Sequence, residues 1–473
     1  MATKSKKLFA LLLTTIIASA ALAGCTDDSD DVTSSVTSRI ASSTTTDSSK
    51  SADSSTTESS DSPINPDLID LSDTATIQEI KDQLAKEAKE NDGTIKIKLW
   101  CAAEDMAFEK SRIEEFKKKF ADSRYKFNIA VVSKSDSDAG SKVIEDPKKA
   151  ADVFNFADDQ LSALQLAGDI SSVADYYKGN VKAENTEDSI KVSSIGNELY
   201  AFPRTSDNGY FLYYDKRYIT EDDIKDFDSL IAKAKSVGKD VFFNLTDAWY
   251  NTAFFFTAGV KIEYKNGVQT GTFDSSEGLS ACKAMCHIAE NEGSGLYGQG
   301  DNNTAVSQGF REGRLCAAVI GTWMGPTIKT AIGEENVGAS KLPTVLMDNQ
   351  QKQLHSFGGY KLIGVNVYAT YPFASQTLAY FLGSETSQLE RYKTRGLIPT
   401  NLKAAEDEKV KNDPAYKAID DQREFAHAQG ASVGSTYWSC GVAGIGSKIV
   451  NAKGGNKEDE LKDLLKATQK NLN

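Results

Sequence analysis

Residues 315–326 read LCAAVIGTWMGP, and the fold turns on how that run is read. Leu315 to Ile320 is apolar and short, and glycines bound it at Gly313 and Gly321. Such a run suits a strand buried on both faces better than a helix. Trp323 then stands just past the carboxyl end of that strand, the edge where open α/β sheets bind ligands. It is either a cap on the core or one wall of a site.

Working outward, the rest of the chain supports an α/β fold. Ile77, Ile80, Leu84 and Ala88 recur at helical period, so a short amphipathic helix leads into the globular part. Ile95, Ile97, Leu99 and Cys101 alternate with Lys96, Lys98 and Trp100, the pattern of a strand. A helix follows from Glu104–Asp105 to Phe120, acidic at its start and carrying Lys117 to Lys119 at its end, as the helix dipole favours. Tyr125–Ser133 and Ala151–Phe156 (ADVFNF) are the next strands, with a loop over 136–141. Strand alternating with helix predicts a parallel, doubly wound sheet, and Trp100 is assigned to its core.

The amino terminus reads differently. Lys4, Lys6 and Lys7 precede an apolar run from Leu8 to Leu22, and Leu22-Ala23-Gly24-Cys25 follows. That is a signal peptide over residues 1–24, too short to span a membrane comfortably. Residues 25–73 read as a tether; from Thr26 to Pro63, 22 of 38 residues are Ser or Thr and none is aromatic. Such a stretch cannot offset the entropy of ordering and is expected to be disordered, spanning roughly 30–37 Å. The lead-in helix takes residues 74–93.

The formal net charge of −13 becomes −16 once Lys4, Lys6 and Lys7 are removed, which disfavours nucleic acid or anionic lipid as a partner. Beyond Cys25 there are Cys101, Cys282, Cys286, Cys316 and Cys440, an odd and scattered set in apolar contexts. They read as buried thiols, neither a disulfide framework nor a metal site.

Several stretches together carry a resemblance. Leu22-Ala23-Gly24-Cys25 resembles the bacterial lipobox, which implies that Cys25 is lipidated and anchors the protein outside the cytoplasmic membrane. Trp100 closing a strand, the helix ending Glu-Glu-Phe-x-x-x-Phe, and Ala-Asp-Val-Phe-x-Phe-Ala-Asp-Asp at 151–159 are similar to the opening of extracellular solute-binding proteins of ABC importers. The similarity is greatest to the branch containing maltose- and maltodextrin-binding proteins. It continues through 200–216 (YAFPRTSDNGYFLYYDK), 226–259, Thr322-Trp323, 396–401 (GLIPTN) and Tyr437-Trp438.

The resemblance implies a two-lobe periplasmic-binding-protein-like α/β fold, with the ligand in a cleft between lobes joined by hinge strands. Lobe 1 would take 94–203 and 359–404, and lobe 2 would take 206–356 and 408–473. Pro203 at one crossing and Gly358-Gly359 at the other suit hinges. Carried over position by position, Trp323 and Trp438 correspond to stacking tryptophans, Trp249 to a stacking Tyr and Phe156 to a Trp. Asp159 corresponds to a hydroxyl-binding carboxylate, Asp247 to a Glu, and Glu104 with Asp105 to an Asp-Lys pair. Asp207 or Asn208 lies nearest the family's hinge-side Glu. Aromatic plates suit the C–H faces of sugars, and carboxylates accept their hydroxyl hydrogen bonds.

Other motifs do not assemble. Gly293–Gly298 matches G-x-G-x-x-G but follows a helix where a strand is required. His287, His355 and His427 are far apart in sequence, and no nucleophile–base pair is recognisable. Glu104-Asp105 and Asp158-Asp159 are adjacent residues, which do not flank a glycosidic bond as a hydrolase requires. The expectation is therefore a monomeric, non-enzymatic, lipid-anchored receptor at the extracellular face of a bacterial membrane. It uses no cofactor and delivers an oligosaccharide, a maltodextrin foremost, to an ABC transporter permease. The alternatives are a different sugar class or a surface glycoside hydrolase.

Overall fold

The run Leu315–Ile320 is a strand buried at every position. Its mixture of Ala, Val and Ile suits a strand covered on both faces. The structure, a computed structural model, describes residues 68–265, 267–290 and 301–472. The signal peptide, Cys25 and the Gly293–Gly298 loop lie outside the described residues.

The strands that position the site are, in chain order, β1 (Thr94–Cys101), β2 (Lys126–Ser133), β3 (Val153–Ala157), β4 (Ala201–Thr205), β5 (Phe211–Asp215), β6 (Asp240–Phe242), β7 (Leu315–Ile320), β8 (Val337–Ser340), β9 (Ser356–Gly358), β10 (Lys361–Val365) and β11 (Ala426–Ala428). They form a five-stranded sheet in the order β2-β1-β3-β10-β4 and a four-stranded sheet in the order β8-β5-β7-β6. β9 and β11 make a separate parallel pair.

The expected parallel sheet is only partly realised. β1 runs parallel to β2 and β3, whereas β10 is antiparallel to both β3 and β4. The reason is connectivity: β10 enters the first sheet from the second lobe and meets it from the opposite direction.

The period-2 alternation of the first sheet feeds two cores. Ile95, Ile97, Leu99, Val153 and Ile363 pack on one face against Phe116, Leu378 and the lead-in helix. Trp100, Phe154, Phe156 and Leu362 pack on the other with Leu161 and Leu164. A helical layer on each face of a sheet is the doubly wound arrangement. The second sheet has its own larger core, which includes the whole of β7.

The lead-in helix spans Thr74–Lys89 and is part of this body, with Ile80, Leu84 and Ala88 fully buried. The Glu87 carboxylate accepts from the backbone N–H groups of Phe373 and Ala374, each at 2.9 Å, capping another helix. The tether also ends earlier than residue 73. The Ile69 backbone donates to Asn180 Oδ1 at 2.9 Å, and Asn180 Nδ2 donates back to the Ile69 carbonyl at 2.7 Å. Asp73 caps the lead-in helix through Thr76.

The chain passes between the sheets at residues 206–210 and again around 359–360. Asn208 N–H donates to the Gly359 carbonyl at 3.2 Å, and Ser206 N–H to the Ile398 carbonyl at 2.9 Å, so the crossings are tied to one another. Gly359 is needed for close approach: an added Cβ would lie 2.7 Å from Asp158 Oδ1. Its φ is not positive, so the expected conformational freedom is not what this glycine supplies.

Candidate functional site

Trp323 sits in the turn Thr322–Met324 directly after β7. Gly321 makes its position possible, since a Cβ there would fall 1.9 Å from the indole ring. The ring is half-buried, and its Nε1–H donates to Asn303 Oδ1 at 2.9 Å. Lys361, from β10 of the other sheet, holds its ammonium 5.2 Å from the ring centroid. That distance allows a cation–π contact and places the ring at the junction of the two sheets. Beside it lies a cavity of about 390 Å³ lined by Glu104, Asn303, Thr304, Ser307, Gln308, Arg311, Trp323 and Arg395 among others. Amides, hydroxyls and guanidinium groups around one aromatic plate match a polyhydroxylated ligand.

Trp249 lies 5.9 Å from Trp323 between ring centroids, at an interplanar angle of 45°. It opens the helix Ala248–Ala258, whose N-cap is Asp247. Asp247 accepts from Trp249 N–H at 2.9 Å and from Asn302 Nδ2 at 3.0 Å, so both its oxygens already serve this corner. Tyr210 and Tyr250 pack edge-on against the Trp249 ring at 4.7 and 5.0 Å.

Trp438 is the most exposed of the three, at 36%. It faces Asp159, which lies just past β3 on the opposite lobe. Burial pushes the Asp159 carboxyl up to about 7, even against the lowering influence of nearby Gln429 and Trp438. Burial and the adjacent Asp159 charge push Asp158 up to about 8. Neither oxygen of Asp158 has a good hydrogen-bond partner among the described residues. A pair of carboxyls desolvated between two lobes and titrating near neutrality is characteristic of functional clefts.

Three expected site residues are placed elsewhere. Phe156 is fully buried, 5.4 Å from Phe154 between ring centroids. Strand parity decides this: Phe154 and Phe156 share a face of β3, and that face is covered by the helix Leu161–Ala167. Asp105 is 2% exposed and ion-paired with Arg204 and, at 2.8 Å, with Arg395. Burial alone would raise its carboxyl, but the two guanidinium groups hold it well below the usual range. Arg204 also meets Glu109 and Asp136, each at 3.4 Å, and Arg391 meets Glu109 at 3.5 Å, so Asp105 belongs to a buried charge network under the cleft. Asp207 is fully buried, accepting from the Thr322 hydroxyl and from Ile398 N–H at 3.1 Å. It ties the turn that carries Trp323 to a crossing segment.

Glu104 does line the cavity, and Asn208, at 8% exposure, donates to Gln429 Oε1 at 3.3 Å. Trp100 is in the core. Asn303, Lys361, Arg395 and Gln429 were missed by sequence reasoning. Only Asn303 had a local signal, since Asp301-Asn302-Asn303-Thr304 reads as a helix start.

The five cysteines Cys101, Cys282, Cys286, Cys316 and Cys440 are buried and unbridged. Burial pushes Cys286 up to about 11 and Cys316 up to about 12, which keeps them protonated and unreactive. Among the described residues, no group of three or more His, Cys, Asp or Glu could hold a metal ion.

Two α/β bodies joined by crossing segments, with aromatic plates and carboxyls facing across the gap, form a cleft of the kind that holds a ligand in a binding protein. Residues 111–418 match the model of the bacterial extracellular solute-binding proteins, and the chain belongs to that family. A galactooligosaccharide-binding protein of Bacillus subtilis (strain 168) is 24% identical over 292 residues. That match covers 58% of this chain and 66% of the relative, so the chain spans just under two thirds of it. A structure solved with acarbose is 30% identical, with a TM-score of 0.71 over 80% of this chain and 99% of that one. The ligand-free maltodextrin binding protein of L. casei BL23 is 25% identical, with a TM-score of 0.65 over 80% of this chain and 99% of that one. Among the described residues, no helix is long and apolar enough to cross a membrane.

Proposed function

We propose that this protein is a lipid-anchored receptor that captures an oligosaccharide outside the cell and delivers it to an ABC transporter permease. An α-glucan of the maltooligosaccharide type is the favoured ligand. The observation that carries the reading is the gathering of Trp249, Trp323 and Trp438 opposite Asp159 and Lys361, beside a cavity lined with amides and hydroxyls. Each aromatic plate adds about 0.5–1.5 kcal/mol beyond its burial. A ligand touching both lobes shifts the population toward the closed form, which is the form a permease would read. Family membership supports the binding role, and the names of a maltodextrin binding protein and of a structure solved with acarbose support the sugar.

The galactooligosaccharide-binding relative supports a second reading, a galactooligosaccharide, at the same site. Titrating maltotriose, maltotetraose, acarbose and a galactooligosaccharide, while following Trp fluorescence and thermal shift, separates the two. Saturable binding of the maltooligosaccharides is expected. No response to any of them overturns the α-glucan assignment, and a response to amino acids in place of sugars overturns the class. Anchoring is tested separately: Cys25→Ala should release the protein from the membrane fraction into the medium.

A further inference from the structure

We infer that Gln429 is a positioning residue that sets the plane of Trp249 and makes that setting depend on lobe closure. Gln429 is 5% exposed and follows directly on β11, which pairs with β9 beside the second crossing. Its Oε1 accepts from the Trp249 indole N–H at 2.8 Å and from Asn208 Nδ2 at 3.3 Å. Trp249 belongs to the wall of the second lobe, and Asn208 to the first crossing segment. An indole N–H only donates, so the atom facing it must be the amide oxygen. The amide nitrogen is thereby directed to the remaining side, toward the Asp158–Asp159 segment of the opposite lobe, whose Asp159 Cα would lie 3.5 Å from a Cβ added at the neighbouring Gly430.

One side chain thus touches an aromatic plate, a crossing segment and the facing lobe. When the lobes separate, Asp159 leaves and the amide loses the partner that fixes its rotation. Trp249 keeps its acceptor within its own lobe, but on an amide held less firmly, so its indole N–H is shielded less in the open form than in the closed one. Gly430, the next residue, marks how near the lobes come: an added Cβ would lie 3.3 Å from the Asp158 carbonyl. The role requires an acceptor and a donor on one planar group. Leu supplies neither, and an ionised Glu supplies only the acceptor while facing the charge of Asp159.

The inference rests on Trp249 being a ligand plate, as proposed above, and the test has one arm that needs no ligand. In the full chain without sugar, the Trp249 indole N–H resonance, assigned by its loss in Trp249→Phe, should be protected from solvent exchange and should lose that protection in Gln429→Leu. In the second arm, maltotriose affinity should fall about tenfold in Gln429→Leu at both pH 5 and pH 8, the loss expected when a buried hydrogen bond is removed. Gln429→Glu should show a similar loss at pH 8. It should return to within about twofold of the wild type at pH 5, because a neutral carboxyl accepts through its carbonyl and donates through its hydroxyl. The titratable groups facing position 429 are Asp159 and its neighbour Asp158; Trp249, Trp438 and Asn208 are uncharged, and His427, two residues earlier, is paired with His355 at 2.9 Å.

Unchanged indole protection in Gln429→Leu, or a Gln429→Glu loss equal at both pH values, overturns the inference. If the wild type binds no maltooligosaccharide, the proposed ligand fails, and the resonance arm still decides the role of Gln429.

Discussion

Truncating Trp323 removes the plate beside the cavity while leaving β7, which is buried by its own residues, in place. Trp323→Ala should therefore weaken oligosaccharide binding at least about tenfold, with little change in melting temperature. Calorimetric titration checks this, and unchanged affinity would return Trp323 to a packing role. Asp105→Asn should do the reverse. Removing one carboxylate from a buried network leaves Arg204 short of a counter-charge and should cost about 3–5 kcal/mol of stability. Urea unfolding measures that loss, and a stability unchanged within error would mean that Arg204 is satisfied by Glu109 and Asp136 alone. The sequence marks both residues as site candidates. Only the surroundings separate them, because Trp323 has open space beside it and Asp105 has two guanidinium groups.

At the scale of the element, the lead-in helix behaves as a member of the fold. Leu84 is fully buried, and Glu87 caps the helix Pro372–Gly383 across nearly 300 residues of sequence. Leu84→Ala should destabilise the protein by about 2–5 kcal/mol, the cost of an unfilled core position. Chemical denaturation followed by far-UV circular dichroism measures it, and a loss near zero would make the helix a dispensable part of the tether. The helix itself is legible from the spacing of Ile80, Leu84 and Ala88, because a buried stripe at helical period needs no knowledge of its partner. The partner is not legible, since Phe373 and Ala374 are joined to Glu87 only by the tertiary fold. Strand β3 shows the same division. ADVFNF is recognisable as a strand, but which face of it lies under a helix depends on the sheet, and that choice moved Phe156 out of the cleft.

For the molecule as a whole, the Asp158–Asp159 pair makes stability depend on pH. Both carboxyls are raised by burial, so the folded state holds protons that the unfolded chain releases from about pH 4 upward. Their contribution therefore diminishes as pH rises toward 7 and 8. His427 acts in the opposite sense below its ordinary value: burial and His355 lower it to about 4, so the folded state binds fewer protons there between pH 4 and 6.5. The two effects separate above pH 6.5, where the carboxyls remain. Melting temperature should fall between pH 6.5 and pH 8, and Asp158→Asn should flatten that fall. An equally steep fall in the variant would place the titration at another group.

The sequence by itself determined the alternation of strands and helices, the buried strand that ends at Trp323, the amphipathic stripe of the lead-in helix and the likeness to solute-binding proteins. These are local patterns, set by the period of apolar residues and by short motifs. Only the tertiary structure decided which candidates share a cleft. It brought Trp249, Trp323 and Trp438 to face Asp159, Lys361 and Gln429, sent Phe156 into the core, and turned Asp105 and Asp207 inward to hold charges and crossings together. The reason is that a side chain's role follows from what surrounds it, and those surroundings are assembled from segments far apart in the chain that meet only when the two sheets are in place.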